Sequence, residues 1–489
     1  MATSSRSTAT DQAPAPGSAR LDPALIKLTA ILMTGAIAAL LDTTIVNVGL
    51  AAIARDLHTT VSTVQWVMTG YLLSFGMVIP LSGWAVARFG AKATWLASLA
   101  VFLAGSVACG LAWNIGSLVA FRVLQGAGGG MLMPVLTTML IRAAGGRSLG
   151  RLMATVSLPA VVVPVAGPIV GGLIVTDLNW RWLFYVNVPI LLAAVVLAWR
   201  GLPATARAAG PKPRLDLTGL ALLSPGLAAV LYGLAQVSVH HGFGHLAVII
   251  PLAAGLLALA AFVVRALRPR GTVEPVIDLR LFRVRSFTGA GALMFVAGLS
   301  MYGALLLIPL YYQQVRGASA LTAGLLLVPQ GLGSLLPRTI AGRLTDRIGP
   351  RPVILCGMAL AALGTVPFAL AGPHTSEVLL SAGLVVRGAG LATATIAVMA
   401  TAFTGLAPAQ VPHASSATRI LQQVGGSFGT AVLTVILELQ LTSGSTAGAA
   451  ARTAGLATAF SHTFWWATGF TVIGALPALL LRRPSRSAG

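Results

Sequence analysis

The chain has 489 residues, of which 56% are hydrophobic and only 9% charged, and it carries 55 glycines and 27 prolines. A soluble domain holds about a quarter charged residues, so a water-soluble enzyme is excluded, and the Gly and Pro content suits spanning helices. The formal charge of +21 does not mark a nucleic-acid binder, because Lys and Arg stand in small groups between apolar runs rather than on one face or tail.

Residues 1–24 are rich in Ala, Ser, Thr and Pro without a cleavable signal pattern, and read as a flexible cytoplasmic tail. A helix crossing a bilayer needs about 20 apolar residues. Apolar runs fall at 25–50, 62–86, 93–113, 117–141, 150–175 and 182–200, filling 25–201 with six predicted spans. Two more, at 217–239 and 246–266, occupy a linker region, 202–284. Six follow within 285–482, at 287–312, 318–340, 353–372, 377–403, 413–437 and 462–481, and 483–489 form a short tail. The expected fold is an all-α membrane protein of fourteen spans: two six-helix bundles and an extra transmembrane pair.

Charge in the loops tests this count independently. Arg88 with Lys92, Arg142 with Arg147 and Arg151, Arg200 with Lys212, Arg280 with Arg283, Arg343 with Arg347, and Arg482 with Arg483 all fall in alternate loops or at an end. The intervening loops hold only isolated residues such as Arg55, Arg181, Arg316 and Arg452. Positive charge stays on the cytoplasmic side, so both termini are expected there, in a multi-pass protein of the inner membrane. The Ala-, Arg- and Gly-rich composition hints at a bacterial source.

Two features recur in the first and last six spans. Gly83-Trp84-Ala85-Val86-Ala87-Arg88-Phe89-Gly90 follows the second span, and Gly342-Arg343-Leu344-Thr345-Asp346-Arg347-Ile348-Gly349 follows the tenth. The fourth and twelfth spans each carry a lone arginine near a Gly-Ala-Gly run, Arg122 and Arg387. Two related halves place a substrate site near the midplane between them. Further marks are Leu41-Asp42-Thr43-Thr44-Ile45-Val46-Asn47 in the first span and Arg122-Val123-Leu124-Gln125-Gly126 in the fourth. Ala166-Gly167-Pro168-Ile169-Val170-Gly171-Gly172 lies in the fifth span, Trp180-Arg181-Trp182 with Asn187-Val188-Pro189 at the start of the sixth, and Asp278-Leu279-Arg280-Leu281-Phe282 before the ninth. In this order the chain resembles, over nearly its whole length, the fourteen-span drug:proton antiporter branch of the major facilitator superfamily.

Of the eleven acids, only Asp42 lies clearly inside a span. A charge there costs roughly 2.5–3.5 kcal/mol even on the lenient insertion scale. The residue reads either as a proton carrier, shared or not with a cationic substrate, or as a structural acid hydrogen-bonded to Thr43, Asn47 or a neighbouring helix. The resemblance favours proton coupling, with Arg122 as second participant; a snorkelling arginine is the alternative. Arg387 lies deeper in its helix and is an equal candidate without a comparable implied role, and nothing assigns Arg419 or Glu438. The resemblance also implies that Gly167, Pro168, Gly171 and Gly172 seal the halves together as an antiporter motif; close packing alone is the plain reading. Gly83, Arg88, Gly90, Gly342, Asp346, Arg347 and Gly349 are the expected cytoplasmic gate. The first copy departs from the family pattern, with Ala87 where an aspartate stands and Ala91 at a basic position, so one latch is missing. Asn47, Gln65, Trp66, Tyr71, Gln125, Met131, Met133, Met301, Tyr302, Tyr311 and Gln330 are candidates to line a central cavity, although most Met and aromatic residues in a bundle simply pack.

Cys109 and Cys356 sit in apolar runs and imply no disulfide or metal site. His240, His241 and His245 read as a solvated outer loop. Without a phosphate-binding Gly-rich loop and its Lys-Ser/Thr pair, ATP is not expected; no cofactor is. The expected partners are the bilayer, protons and a small lipophilic substrate, neutral or monocationic, handled by a monomer. The function expected is export in exchange for protons by alternating access. A lipid, siderophore or self-made metabolite as cargo, or a non-transporting membrane sensor, are the alternatives.

Overall fold

The computed structural model describes residues 23–59, 61–64, 66–145, 159–203, 215–240, 242–268, 276–407, 409–442 and 449–481. Both tails, Gln65 and the arginines at 147 and 151 lie outside these residues. Among the described residues every regular element is helical, as hydrocarbon demands: a backbone there must satisfy its own hydrogen bonds.

The first group comprises α1 (Pro23–Asp56), α2 (Trp66–Val78), α3 (Leu81–Phe89), α4 (Ala91–Gly110), α5 (Ile115–Ala144), α6 (Pro159–Asp177) and α7 (Asn187–Gly201). Next come α8 (Leu217–Val239) and α9 (Leu246–Leu267). The last group is α10 (Arg285–Gln314), α11 (Val328–Leu335), α12 (Arg338–Ile348), α13 (Pro350–Ala369), α14 (Glu377–Ala402), α15 (Val411–Thr442) and α16 (Ala449–Ile473), with shorter turns of helix between.

Ten helical segments of the described residues are long and apolar enough to cross a membrane, and α2 with α3, bent by 54°, makes an eleventh. The protein is therefore a multi-pass membrane protein. The three other predicted runs also fall on helix. Residues 150–175 are described only from Pro159, 318–340 break into Ala320–Leu325, α11 and the start of α12, and 462–481 lie on α16 and the turn Leu476–Leu480.

Local chemistry sets several ends. Asn114 caps α5, its side chain accepting from Ser117 N while the Ser117 hydroxyl accepts from Asn114 N, a reciprocal box. Gly90, at φ 87°, separates α3 from α4, and Gly349, at φ 86°, separates α12 from α13. That left-handed geometry requires glycine, so the duplicated loop in the sequence is also a duplicated turn.

Packing follows the same division. In the first group α1 lies against α5, α6 and α7, α4 against α5 and α7, and α2 against α5. In the last, α10 lies against α14, α15 and α16, α13 against α14 and α16, and α11 against α14. The groups meet where α15 touches α5 and α3 and where α11 touches α6. The pair α8 and α9 is docked through α8 onto α2 and α15, leaving α9 largely uncovered, with Ile250, Leu257 and Val264 exposed.

The Gly-Ala-Gly runs are where backbones touch. A Cβ on Gly126 would come within 2.4 Å of Tyr71 O and one on Gly128 within 2.5 Å of Phe102 N. In the last group, Gly388 would meet Gln330 O at 2.1 Å and Gly390 would meet Ala361 N at 2.3 Å. The register that matches Gly90 to Gly349 also matches Tyr71 to Gln330 and Phe102 to Ala361. Matching Gly126 to Gly388 then places Arg387 opposite Gln125, and Leu384 opposite Arg122. The two lone arginines are not copies of one another.

Candidate functional site

Asp42 and Arg122 are both wholly buried, with an Arg122 Nη1 to Asp42 Oδ2 distance of 2.5 Å. The other carboxylate oxygen, Oδ1, accepts from Gln125 Nε2 at 3.0 Å and from Asn187 Nδ2 at 3.1 Å. Gln125 closes the ring: its Oε1 accepts from Arg122 Nη1 at 2.7 Å, and its Nε2 also donates to Ser106 Oγ at 2.9 Å. Ser106 in turn donates to Phe184 O. The other edge of the guanidinium is held by Val67 O, which accepts from Nε at 3.1 Å, and its face lies 4.0 Å from the Tyr71 ring centre. A buried charge is tolerable only when paired and hydrogen-bonded, and here four helices supply the partners.

Spacing explains the assembly. Arg122 and Gln125 are three residues apart on α5, hence on one face of it, and the glycine at 126 brings the α2 backbone against that face. Asn187 opens α7, where its amide reaches inward. Among the described residues, the hydrogen-bond partners of Asp42 all belong to the first group of helices. Wholly buried, Asp42 is too enclosed to receive a bulky molecule.

Other predicted residues lie elsewhere. The Thr43 hydroxyl donates to Leu40 O and the Asn47 amide to Thr43 O, so neither reaches Asp42, and Asn47 is exposed. Trp66 is exposed and stacks on Tyr232 of α8. Tyr311 sits in an aromatic cluster with Tyr312, Phe368, Phe460 and Phe464, its hydroxyl donating to Gly372 O. Met131, Met133 and Met301 are half-buried, and Tyr302 packs on Gly426. Gln330 accepts from Arg387 at 3.1 Å.

The run expected to be an antiporter motif packs α6 on α1. A Cβ on Gly167 would strike the Thr44 hydroxyl and one on Gly171 would come within 3.0 Å of Ile45 O, whereas Gly172 has nothing within 4 Å. The Pro168 side chain lies outside what is described. In the expected gate, Gly83 faces His413 and Pro412 of α15, Arg88 is half-buried, and Asp346 and Arg347 are exposed.

Two polar groups had no predicted role in the cluster. Ser106 and Asn187 are uncharged, and a lone serine inside an apolar run, such as Ser106 in 93–113, ordinarily bonds back to its own helix; only the quoted Asn187-Val188-Pro189 marked one of them. The neighbouring Trp180-Arg181 pair clamps the far end of α1: Trp180 Nε1 donates to Asp56 Oδ2 at 2.7 Å and Arg181 Nη1 at 3.1 Å. The Trp180 hydrogen bond and the Arg181 charge hold Asp56 below the usual carboxylate range against the opposing effect of burial. His240 and His245 stack in parallel with ring centres 4.0 Å apart, and His245 Nδ1 accepts from Ala247 N; His241 lies outside the described residues. A cleft of about 750 Å³, lined by Tyr312, Arg316, His374 and Glu377 among others, does not reach Asp42.

The sequence model of the Major Facilitator Superfamily matches residues 32–430. The chain is 40% identical over 423 residues to a Multidrug resistance protein B homolog of Mycobacterium tuberculosis, covering 86% of this chain and 78% of that one. It is 32% identical to the Tetracenomycin C resistance and export protein of Streptomyces glaucescens, covering 81% of this chain and 73% of that protein. In fold it is similar to the crystal structure of the human organic anion transporter MFSD10 (TETRAN), with a TM-score of 0.57 at 16% identity, covering 92% of this chain and all of the other. With the family model running from α1 into α15, and such relatives along most of its length, the chain belongs to the Major Facilitator Superfamily.

Proposed function

We propose that this transporter is a fourteen-span exporter of lipophilic small molecules, drugs or antibiotics, driven by protons entering in exchange. The single observation that carries the reading is the Asp42–Arg122 pair. A proton arriving on Asp42 competes with Arg122 for the carboxylate, and a guanidinium keeps its own charge when buried. Protonation therefore frees Arg122 from its ionic partner and leaves it on Gln125 and the Val67 carbonyl. Loading and unloading one site thus changes how α1 and α5 are joined, which a rocking cycle requires.

Residues 25–201 and 285–482 act as the two bundles in this reading, and 202–284 carry the extra pair. Fourteen spans keep the alternation of Lys and Arg and put both termini in the cytoplasm of a bacterial inner membrane. The relatives, described as multidrug resistance and export proteins, support small-molecule export; a lipid or self-made metabolite is the second cargo reading. The test is efflux from proteoliposomes under an imposed pH gradient. Asp42→Asn is expected to abolish gradient-driven efflux while still allowing passive exchange, and undiminished gradient-driven efflux would refute the assignment.

A further inference from the structure

Two side-chain amides donate to Asp42 Oδ1, and only one of them is locked in place. Gln125 Oε1 accepts from Arg122 Nη1 at 2.7 Å, while its Nε2 donates to Asp42 Oδ1 at 3.0 Å and to Ser106 Oγ at 2.9 Å. Reversing that amide would set its NH2 against the guanidinium, donor against donor. Asn187, also wholly buried, is held differently. Its Nδ2 donates to Asp42 Oδ1 at 3.1 Å and reaches Ser106 Oγ at 3.5 Å, whereas its Oδ1 has no hydrogen-bond partner among the described residues. Buried polar atoms without partners are rare in folded proteins, and this unpartnered acceptor belongs to the very amide that holds the carboxylate.

The two ends of an asparagine amide are nearly equal in size, and χ2 is a broad two-fold torsion, so a half-turn exchanges them without displacing neighbours. The Ser106 hydroxyl can donate as well as accept and tolerates either end. Turned, Nδ2 takes the unpartnered place and Oδ1 faces Asp42. Each orientation leaves one end of the amide unpaired, and the state of Asp42 selects between them. A carboxylate offers only acceptors, whereas a carboxylic acid offers one O–H. Among the described residues, the other charged or titratable groups beside the cluster are Arg122 on α5, Tyr71 on α2, Cys109 on α4 and Tyr185 of the short helix Trp182–Tyr185. The helices α6 and α7 bring only Asp177 and Arg200, at their far ends, so Asp42 is the one carboxyl group there.

We propose that Asn187 is the positioning residue that holds Asp42 in both protonation states, its amide turning from donor to acceptor when the proton arrives. This deepens the export reading and rests on it. The proton that enters in exchange bonds to Asp42 Oδ1 and neutralises the carboxylate. The new O–H then donates to Asn187 Oδ1, in place of the hydrogen bond that Nδ2 gave. The ionic tie between α1 and α5 is lost at that step, while the tie between α1 and α7 reverses its direction and persists. Proton loading thus loosens one neighbour of α1 and keeps the other.

The test is infrared difference spectroscopy of the purified full chain across a pH step, with asparagine carrying a carbon-13 label at the side-chain carbonyl. Asparagine stands only at 47, 114, 179 and 187, so few labelled groups contribute, and Asn187→Leu identifies the band that belongs to 187. If that variant fails to fold, Asn187→Gln, which keeps an amide and removes the label, makes the same assignment. Asp42→Glu moves the acid band without adding an asparagine and so identifies the proton site. The labelled carbonyl of Asn187 is expected to shift to lower frequency, because its oxygen gains a hydrogen bond, and to do so with the same pH midpoint as the rise of the Asp42 acid band. An acid band with no amide shift, or an amide shift with a different midpoint, overturns the switch and leaves proton-driven export standing. Coincident bands in a chain without gradient-driven efflux would remove the export reading and leave the switch standing. No Asp42 acid band at any pH that supports efflux overturns both.

Discussion

At the scale of single residues, the chemistry turns on how one acid is held. Asp42 takes one hydrogen bond on Oδ2 and two on Oδ1, so its charge is shared among α5 and α7 before any substrate arrives. Removing one member of a buried ion pair strands the other and destabilises by about 3–5 kcal/mol, whereas removing both is often nearly neutral. Asp42→Asn and Arg122→Gln are each expected to lower the unfolding temperature in detergent. The Asp42→Asn/Arg122→Gln double variant should melt closer to wild type yet remain uncoupled. A double variant no more stable than either single one would mean that the pair is not one energetic unit. Asp42 and Arg122 were legible in the sequence because a charge in an apolar run has few explanations. Ser106 and Asn187 were not, since a neutral serine inside an apolar run reads equally well as bonded to its own helix, and an asparagine near a helix start as a cap. Laying one Gly-Ala-Gly run on the other puts Arg387 at the position of Gln125 rather than of Arg122, and the matching contacts of Gly126 and Gly388 support that register.

At the scale of helices, glycine decides which pairs come close, and the same residue type carries different weight in adjacent motifs. Gly128 presses on the backbone of α4, with Phe102 N and Ser98 O at 2.5 and 2.8 Å from where a Cβ would stand. Backbone cannot rotate away, so Gly128→Ala must spread α5 from α4, with a loss at the level of overpacking, about 1–3 kcal/mol. Gly172 sits in the expected antiporter seal with open space around it. Gly172→Ala should therefore be neutral, or stabilising by about 0.4–1 kcal/mol through the unfolded chain. Thermal unfolding and efflux of both variants check this contrast; a severe loss in Gly172→Ala would restore that glycine to the seal. Spacing marked the run at 167–172 as a close-packing candidate, whereas the Gly-Ala-Gly run at 126–128 stood out only because it recurs at 388–390. Which glycine faces a neighbour depends on the rotation of α6 about α1, which a run rich in small residues leaves unspecified. The break between α2 and α3, after Ile79, was likewise unmarked, for one predicted run covered both.

For the whole molecule, alternating access requires one surface between the halves to open while another closes, and one such surface is built almost without charge. Ser82 and Ser416 place their hydroxyl oxygens 2.8 Å apart, Ser415 Oγ donates to Pro134 O at 3.0 Å, and Gly83 lies against His413, whose ring nitrogen is 3.3 Å from Val276 O. The family aspartate is absent here: Ala87 is exposed, so no acid at that position ties Arg88 to the other half. Short neutral contacts between helices hold only at close range, so the surface should part completely or stay shut, with little dependence on salt. A disulfide between residues 82 and 416 would hold it shut, because hydroxyl oxygens at that separation leave their Cβ atoms near the span a disulfide bridges. In a Cys356→Ser background, which removes the exposed native thiol while Cys109 stays buried, Ser82→Cys/Ser416→Cys should cross-link readily on oxidation. Efflux should stop in proportion to the cross-linked fraction and return on reduction. Full efflux through quantitatively cross-linked protein would show that this surface never opens, and the rocking of one half on the other would then need a different hinge.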